Sequence, residues 1–240
     1  MISEVLGEAF DVYRRLWRRS VVVAGLVFAV VELAVALTRH SSSIGPTLLT
    51  LVLSVVGGLL VQGALVEVVR DLHEARAPAP ISTYYDRTRA VLGTLLGASL
   101  IAGLGIGIGF ILLVVPGLIL FARWSLVVPA VLLEGRTVGD ALRRSNGLVK
   151  GQTGKVLVVA IAAGLIQGLA GLAIHYAFLS LPGFWAVWVG GTVASAITVP
   201  YLAHVLTVLY YKLTEPDRPV LPVEPPREGW RSVWDEEPPA

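Results

Sequence analysis

The stretch from Pro116 to Lys155 reads PGLILFARWSLVVPAVLLEGRTVGDALRRSNGLVKGQTGK. It opens on a Pro-Gly pair, runs through an apolar segment carrying one arginine, Arg123, leaves through Glu134-Gly135 and continues into an amphipathic basic segment. Taken alone, Leu118 to Leu133 could be a buried core helix. The segments on both sides, however, are long, apolar and uncharged. The stretch therefore reads as half of a membrane hairpin followed by its connector on the cytoplasmic side.

Composition points the same way. Hydrophobic residues make up 55% of the chain and charged ones 15%, with a mean hydropathy of +0.75, whereas a soluble domain carries about 25% charged residues. That is too little polar surface to cover a water-soluble globule, and 240 residues mostly in apolar runs fit one polytopic membrane domain. Cysteine is absent, which removes disulfides, thiolate metal ligands and thiol nucleophiles. The net charge of +2 hides an asymmetry, because residues 215–240 carry a net −4 and leave +6 on the rest.

Six apolar spans are expected, at about Ser20–Thr38, Thr47–Val69, Ala90–Val115, Leu118–Leu133, Val156–Leu181 and Gly183–Tyr211, each near the roughly 20 residues that cross the hydrocarbon. Pro116-Gly117 fits the central positions of a type II turn, which makes the third and fourth spans a tight antiparallel hairpin. Lysine and arginine set the orientation. Seventeen lie before the first span, between the second and third, between the fourth and fifth, or after the sixth; the alternate loops hold only Arg39. Both termini should then lie on the cytoplasmic side of the inner membrane.

The basic joints share a design. Residues 1–19 carry apolar side chains at helical spacing, with Ser3 as a cap, acids early and Arg14, Arg15, Arg18 and Arg19 late. This reads as a helix in the membrane interface whose arginines reach lipid phosphates; a solvated helix packed on its own protein is the alternative. A cleaved signal peptide, suggested by Ala34-Val35-Ala36, is disfavoured by Glu32 and the acidic leader. Thr137 should cap a helix with Asp140 three residues on, placing Val138, Ala141, Leu142, Ser145, Leu148 and Val149 on one face and Arg143, Arg144 and Lys150 opposite. Arg143 and Arg144 join the candidate phosphate contacts. A shorter version, with Ser82, Tyr84, Tyr85, Arg87 and Arg89, precedes the third span, so a lead-in stands before each odd-numbered span. A threefold repeat and independently acquired basic loops both fit that pattern. The fold class expected is all-α, a polytopic six-transmembrane-helix bundle with amphipathic interfacial helices preceding the odd-numbered spans: residues 1–19 the N-terminal interfacial helix, 20–213 the membrane domain, and 214–240 a Pro-rich acidic disordered tail.

Inside the spans, Gly103, Gly105, Gly107, Gly109, Gly164 and Gly168 suit close helix packing. GLGIGIG lacks the GxGxxG spacing of a nucleotide fingerprint. Gln62 and Gln167 are expected to bond between helices, Pro129 and Pro200 to kink them, and Trp124, Trp185, Trp188, Tyr210 and Tyr211 to form interfacial belts.

Glu32 and Arg123 each lie about six residues from the outer end of their spans, near 9 Å in depth at about 1.5 Å per residue. An ionised residue deep in a helix costs about 2.5–3.5 kcal/mol, so matched depth invites an ion pair, with His175 close enough to join. Such a site could be a pocket for a lipid headgroup or solute, or a self-satisfied pair that fixes helix order. Arg123 could also snorkel to outer-leaflet phosphates.

The chemical census is sparse. His40, His73, His175 and His204 show no metal-ligand spacing, and no HExxH, GxSxG or P-loop pattern occurs. No catalytic, metal or cofactor-binding residue is expected, and the chain does not read as an enzyme. Pro216, Pro219, Pro222 and Pro225 recur every third residue ahead of Trp230 and Trp234, as a disordered tail or a docking segment for a protein partner. Membrane lipids are the other expected partner; nucleic acid is not one.

The runs PGLILFARWSLVVPAVLLEG and TVGDALRRSNGLVKG, with EAFDVYRRLWRR near the N-terminus, resemble the six-span bacterial and archaeal proteins related to the membrane domain of glycerophosphoryl diester phosphodiesterase. The resemblance spans residues 1–213, with its distinctive part in 116–151. In that family the catalysis resides in a separate soluble barrel, whose His and Glu pattern this chain lacks. The resemblance therefore implies a lipid-interacting scaffold or accessory domain; a small-solute or lipid transporter built on Glu32 and Arg123 is the alternative.

Overall fold

The computed structural model describes residues 1–216 and 218–221. It is all-helical, with six helices long and apolar enough to span a membrane. The first two are α1 (Ile2–Thr38) and α2 (Ile44–His73). The short α3 (Ile81–Ala90) leads into α4 (Leu92–Leu112), and the fourth span is split into α5 (Val114–Trp124) and α6 (Val127–Glu134). A second short helix, α7 (Val138–Val149), precedes α8 (Thr153–Ala177). The sixth span runs through α9 (Gly183–Trp185), a π-helical turn at Ala186–Gly190 and α10 (Gly191–Thr214). Leu26, Leu48, Leu104 and Leu169 are among the apolar side chains left exposed around the bundle, as on helices that face lipid.

The boundary expected near residue 19 does not exist. No helix breaker separates the N-terminal segment from the first span, and α1 runs unbroken past it. It begins at Ile2, so Ser3 sits within the first turn and forms no cap bond. The face formed by Val5, Ala9, Val12 and Leu16 is buried and packs on the bundle, with α10 as the principal neighbour. The alternative of a helix packed on its own protein describes it. At about 1.5 Å per residue α1 is roughly 55 Å long, well over the roughly 30 Å of hydrocarbon, so it projects beyond the membrane. The surplus lies at the end that carries its arginines.

The α4–α5 hairpin is tight, but its turn is not at Pro116-Gly117. The chain reverses at one extended residue, Leu113 (φ −163°, ψ 147°), and Pro116 falls in the first turn of α5, where its missing N–H has no intrahelical partner to lose. Gly117 is there for room: a methyl on it would stand 2.5 Å from the Phe110 ring. One on Gly109 would meet the Gly117 backbone at 3.0 Å, and one on Gly105 the Trp124 ring at 2.3 Å. The close-packing expectation holds for these two and fails for Gly103, Gly107, Gly164 and Gly168, which face open space. Residues four apart share a face, and only one of the two faces of α4 meets α5.

Pro129 is the third residue of α6, just after the break at Ser125–Leu126, as a proline unable to donate to Ser125 requires. Ser145 of α7 fills that break, its hydroxyl donating to the Arg123 carbonyl at 2.7 Å and accepting from the Leu126 amide at 3.2 Å. Thr137 caps α7 by accepting from the Asp140 amide. The apolar side of α7, with Ala141, Ser145 and Val149 buried, packs on α4, α5 and α6. α10 continues through Pro200, and the Tyr13 hydroxyl of α1 donates to the Ile197 carbonyl at 2.9 Å.

The glycine geometry yields a paired prediction. Gly109→Leu should drive α4 from α5 and cost about 1–3 kcal/mol, whereas Gly107→Leu should leave the melting temperature in detergent unchanged. Equal melting temperatures for the two variants would contradict the packing described.

Candidate functional site

The sixth span departs from regular helix where it passes Glu32. Gly190 and Gly191 close the π-helical turn. A methyl on Gly191 would lie 2.5 Å from Glu32 Oε2, and one on Gly190 would lie 2.9 Å from Phe178 Cβ and 3.4 Å from His175 Nδ1. The two glycines thus let a carboxylate from α1 and an imidazole from α8 approach the backbone. Ser195 Oγ donates to Glu32 Oε1 at 3.2 Å. Trp188 Nε1 donates to the Ala29 carbonyl at 2.9 Å and ties the turn to α1, while the Thr192 hydroxyl donates back to the Trp188 carbonyl at 2.6 Å. Carboxylate and hydroxyl form a hydrogen-bonded pair, and the imidazole lies against the same glycine turn. Among the described residues no three His, Cys, Asp or Glu groups are placed to hold a metal ion.

Arg123 is not part of this cluster. No ion pair joins it to Glu32; it ends α5 beside the break, with its Nε buried and without a hydrogen-bond partner. Depth along a helix says nothing of which neighbour that helix has. α1 packs chiefly on α10 and α2, whereas α5 packs on α4 and α8. Gln167 was expected to bond across helices, yet its Oε1 is likewise buried without a partner among the described residues, and Gln62 makes no such bond among them.

The arginine-bearing joints meet at one end of the bundle, and there the structure holds groups that the sequence reading passed over. Glu67 and Asp71, one turn apart near the end of α2, are buried. Arg87 NH1 of α3 reaches both, at 3.2 and 3.1 Å, and Arg70 reaches Glu67 at 3.3 Å. Though partly desolvated, the Arg87 guanidinium is held above its ordinary range by Asp71 and Glu67. Burial, with Asp71 nearby, pushes the Tyr84 phenol up to about 12, so it stays neutral and accepts the Ala79 amide at 3.1 Å. Glu134 receives Arg144 and Arg136, each at 2.8 Å, and the Tyr210 hydroxyl. Lys212 bridges Glu4 and Glu8, each at 3.0 Å. The signal available was the i, i+4 pair of acids at the end of an apolar run.

Of the arginines expected on lipid phosphates, Arg143 pairs with Asp140 at 2.7 Å, Arg144 with Glu134, and Arg19 donates to the Ala79 carbonyl at 3.0 Å. Arg15 and Arg18 are exposed but engaged within the chain, and Arg14 is exposed without a partner among the described residues. The belt expectation fails for Trp188, tied to α1, and for Tyr210 and Tyr211, which are buried, Tyr211 against His73 with ring centroids 3.9 Å apart. The start of the expected tail returns to the bundle. The Val220 amide donates to Glu8 at 2.7 Å, and Arg218 donates to the His73 carbonyl at 3.2 Å. Pro222, Pro225, Trp230 and Trp234 lie outside the described residues.

Double-mutant cycles separate the observed cluster from the expected pair. Glu32→Gln with Ser195→Ala should be non-additive by about 0.5–3 kcal/mol, and Glu32→Gln with Arg123→Gln additive within about 0.5 kcal/mol, in unfolding measured in detergent. Coupling between Glu32 and Arg123 would reinstate the ion pair.

No solved structure matches the chain. The comparisons offer no link to the membrane domain of glycerophosphoryl diester phosphodiesterase. A family model described as Domain of unknown function (DUF7847) matches residues 87–213, from α3 to the end of α10 and more than half of the chain, and the protein belongs to that family.

Proposed function

We propose that the chain is a non-catalytic protein of the cytoplasmic membrane, with both termini on the cytoplasmic side, that gathers phospholipid around the arginine-rich end of its bundle and acts there as a scaffold. The division of charge at that end carries the reading. Glu67, Asp71, Glu134 and Asp140 each hold a cation of the same chain, whereas the exposed Arg14, Lys150 and Lys155 have no carboxylate partner among the described residues. Free cations beside an apolar belt meet lipid phosphates, at about 1 kcal/mol each near an anionic surface. The resemblance of residues 116–151 to a phosphodiesterase membrane domain fits an accessory role.

The non-catalytic part draws on Ser20 and His204. Ser20 Oγ lies 2.9 Å from His204 Nε2, but both residues are wholly buried and His204 Nδ1 has no partner. Neither access for a substrate nor a carboxylate to orient the ring accompanies the pair, which therefore reads as a tie between α1 and α10. A transport reading draws on a different observation: the π-helical turn lies beside Glu32 and a break interrupts the fourth span, and interrupted helices build many transporter sites.

The scaffold reading predicts that Arg14→Gln/Lys150→Gln/Lys155→Gln, purified in mild detergent, loses most of the anionic phospholipid retained by the parent, at an unchanged melting temperature. Equal retention, together with a solute flux in proteoliposomes that Glu32→Gln abolishes, overturns it in favour of transport. Because the chain has no cysteine, orientation is testable directly: an impermeant thiol reagent on intact cells should label Ser42→Cys and spare Ala77→Cys. The reverse pattern would invert the topology.

A further inference from the structure

A cavity of about 310 Å³ opens between α1, α2 and α3, lined by Val27, Leu60, Ser82, Tyr85, Asp86 and Arg89. That is the low end of ligand-sized pockets, about 300–1,000 Å³, and suits a headgroup rather than a whole lipid. Its floor is apolar: Val27, Leu60 and the ring of Tyr85, whose hydroxyl is committed to the Val23 carbonyl of α1. Its mouth is polar, because Ser82, Asp86 and Arg89 recur along one face of α3 and all three are exposed.

Acid–arginine pairs three residues apart divide in this chain, and Asp11 and Arg14 on α1 are one that does not close into an ion pair. Glu67–Arg70, Asp140–Arg143 and Glu215–Arg218 have an acid three residues before an arginine, and each closes into an ion pair, at 3.3, 2.7 and 3.1 Å. Asp86 and Arg89 have the same order and spacing, yet form no ion pair, and neither has another polar partner among the described residues. A simple anion would meet the carboxylate as well as the guanidinium. A ligand carrying both an anionic and a cationic group satisfies both.

We propose that this cleft binds the headgroup of a zwitterionic aminophospholipid, the phosphodiester on Arg89 and Ser82, the primary ammonium on Asp86, and the acyl chains leaving over Val27 and Leu60. A membrane lipid is favoured over a soluble zwitterion because the floor runs out onto lipid-facing α1, where Leu26 and Val30 are each 58% exposed. The proposal rests on the lipid-binding reading above but on a separate set of residues.

The test is binding of short-chain phosphatidylethanolamine, phosphatidylcholine and phosphatidylglycerol to the purified full chain, with glycerophosphoethanolamine as a chainless competitor. Phosphatidylethanolamine should bind about tenfold more tightly than the other two, the worth of a charge-assisted hydrogen bond from its ammonium. Asp86→Asn should reduce it to the phosphatidylcholine level, Arg89→Gln should weaken both, and Arg143→Gln should change nothing. These side chains are exposed, so the melting temperature should hold in every variant. Equal affinity for the three lipids, or indifference to Asp86→Asn, overturns the proposal. Preference for phosphatidylglycerol would also overturn it while leaving the anionic-lipid scaffold standing, and competition by glycerophosphoethanolamine as strong as by the lipid would overturn the choice of a lipid.

Discussion

Hydrocarbon offers the backbone no hydrogen-bond partner, and an unpaired amide or carbonyl there costs several kcal/mol. Each span must therefore satisfy its own ladder, and irregular backbone survives only where another side chain completes it. At Ser125–Leu126 the Ser145 hydroxyl of α7 serves both a carbonyl and an amide, so the kink forced by Pro129 and the docking of α7 are one event. At Ala186–Gly190 Thr192 returns a bond to Trp188, whose indole N–H holds the Ala29 carbonyl. Tyr13 on the Ile197 carbonyl and Tyr85 on the Val23 carbonyl extend the pattern. Donors from one helix onto carbonyls of another tie the bundle together where apolar packing alone has little directional preference.

The ionic lattice follows from helix length. α1 and the sixth span overrun the hydrocarbon, and their surplus turns stand together at the arginine-rich end with the last turns of α2 and α6. Packing there buries Glu67 and Asp71, and a buried carboxylate is tolerable only with a partner. Arg87 supplies one from α3, and Lys212 and Glu134 make the corresponding ties between α10, α1 and α7. Such pairs add little net stability, but removing one member typically costs about 3–5 kcal/mol because the other stays buried. The lattice fixes how the short helices dock on the spans.

The six spans were legible because each is a local property, a run of apolar residues bounded by charge. The cap at Thr137 and the kink at Pro129 were legible for the same reason, since a hydroxyl before a helix and a ring without an N–H act within one turn. Azimuth was not legible. Equal depth made Glu32 and Arg123 look like partners, but which face of α1 meets which helix depends on packing across the whole bundle. Ser145 carries no mark that distinguishes it from other serines on an amphipathic face, and Gly190-Gly191 looked like ordinary small residues until the Glu32 carboxylate was seen against them. Glu67 and Asp71 could have been flagged, since two acids one turn apart at the end of an apolar run call for a cation from a neighbouring element.

An ionisable residue within a membrane span is by default a pointer to function, yet in this bundle Glu32 already has a hydrogen-bond partner in Ser195. A group that finds its partners inside the fold needs nothing from outside, and its cost is met whether or not a ligand arrives. The reverse holds at the rim of α3. Asp86 and Arg89 could have neutralised each other across one helical turn, as three of the other four described pairs of that order and spacing do, and they remain apart over an apolar floor. Open charge of both signs beside an apolar surface is a better measure of what a membrane protein receives than charge buried within it, because only the open charge has bonding capacity left to give.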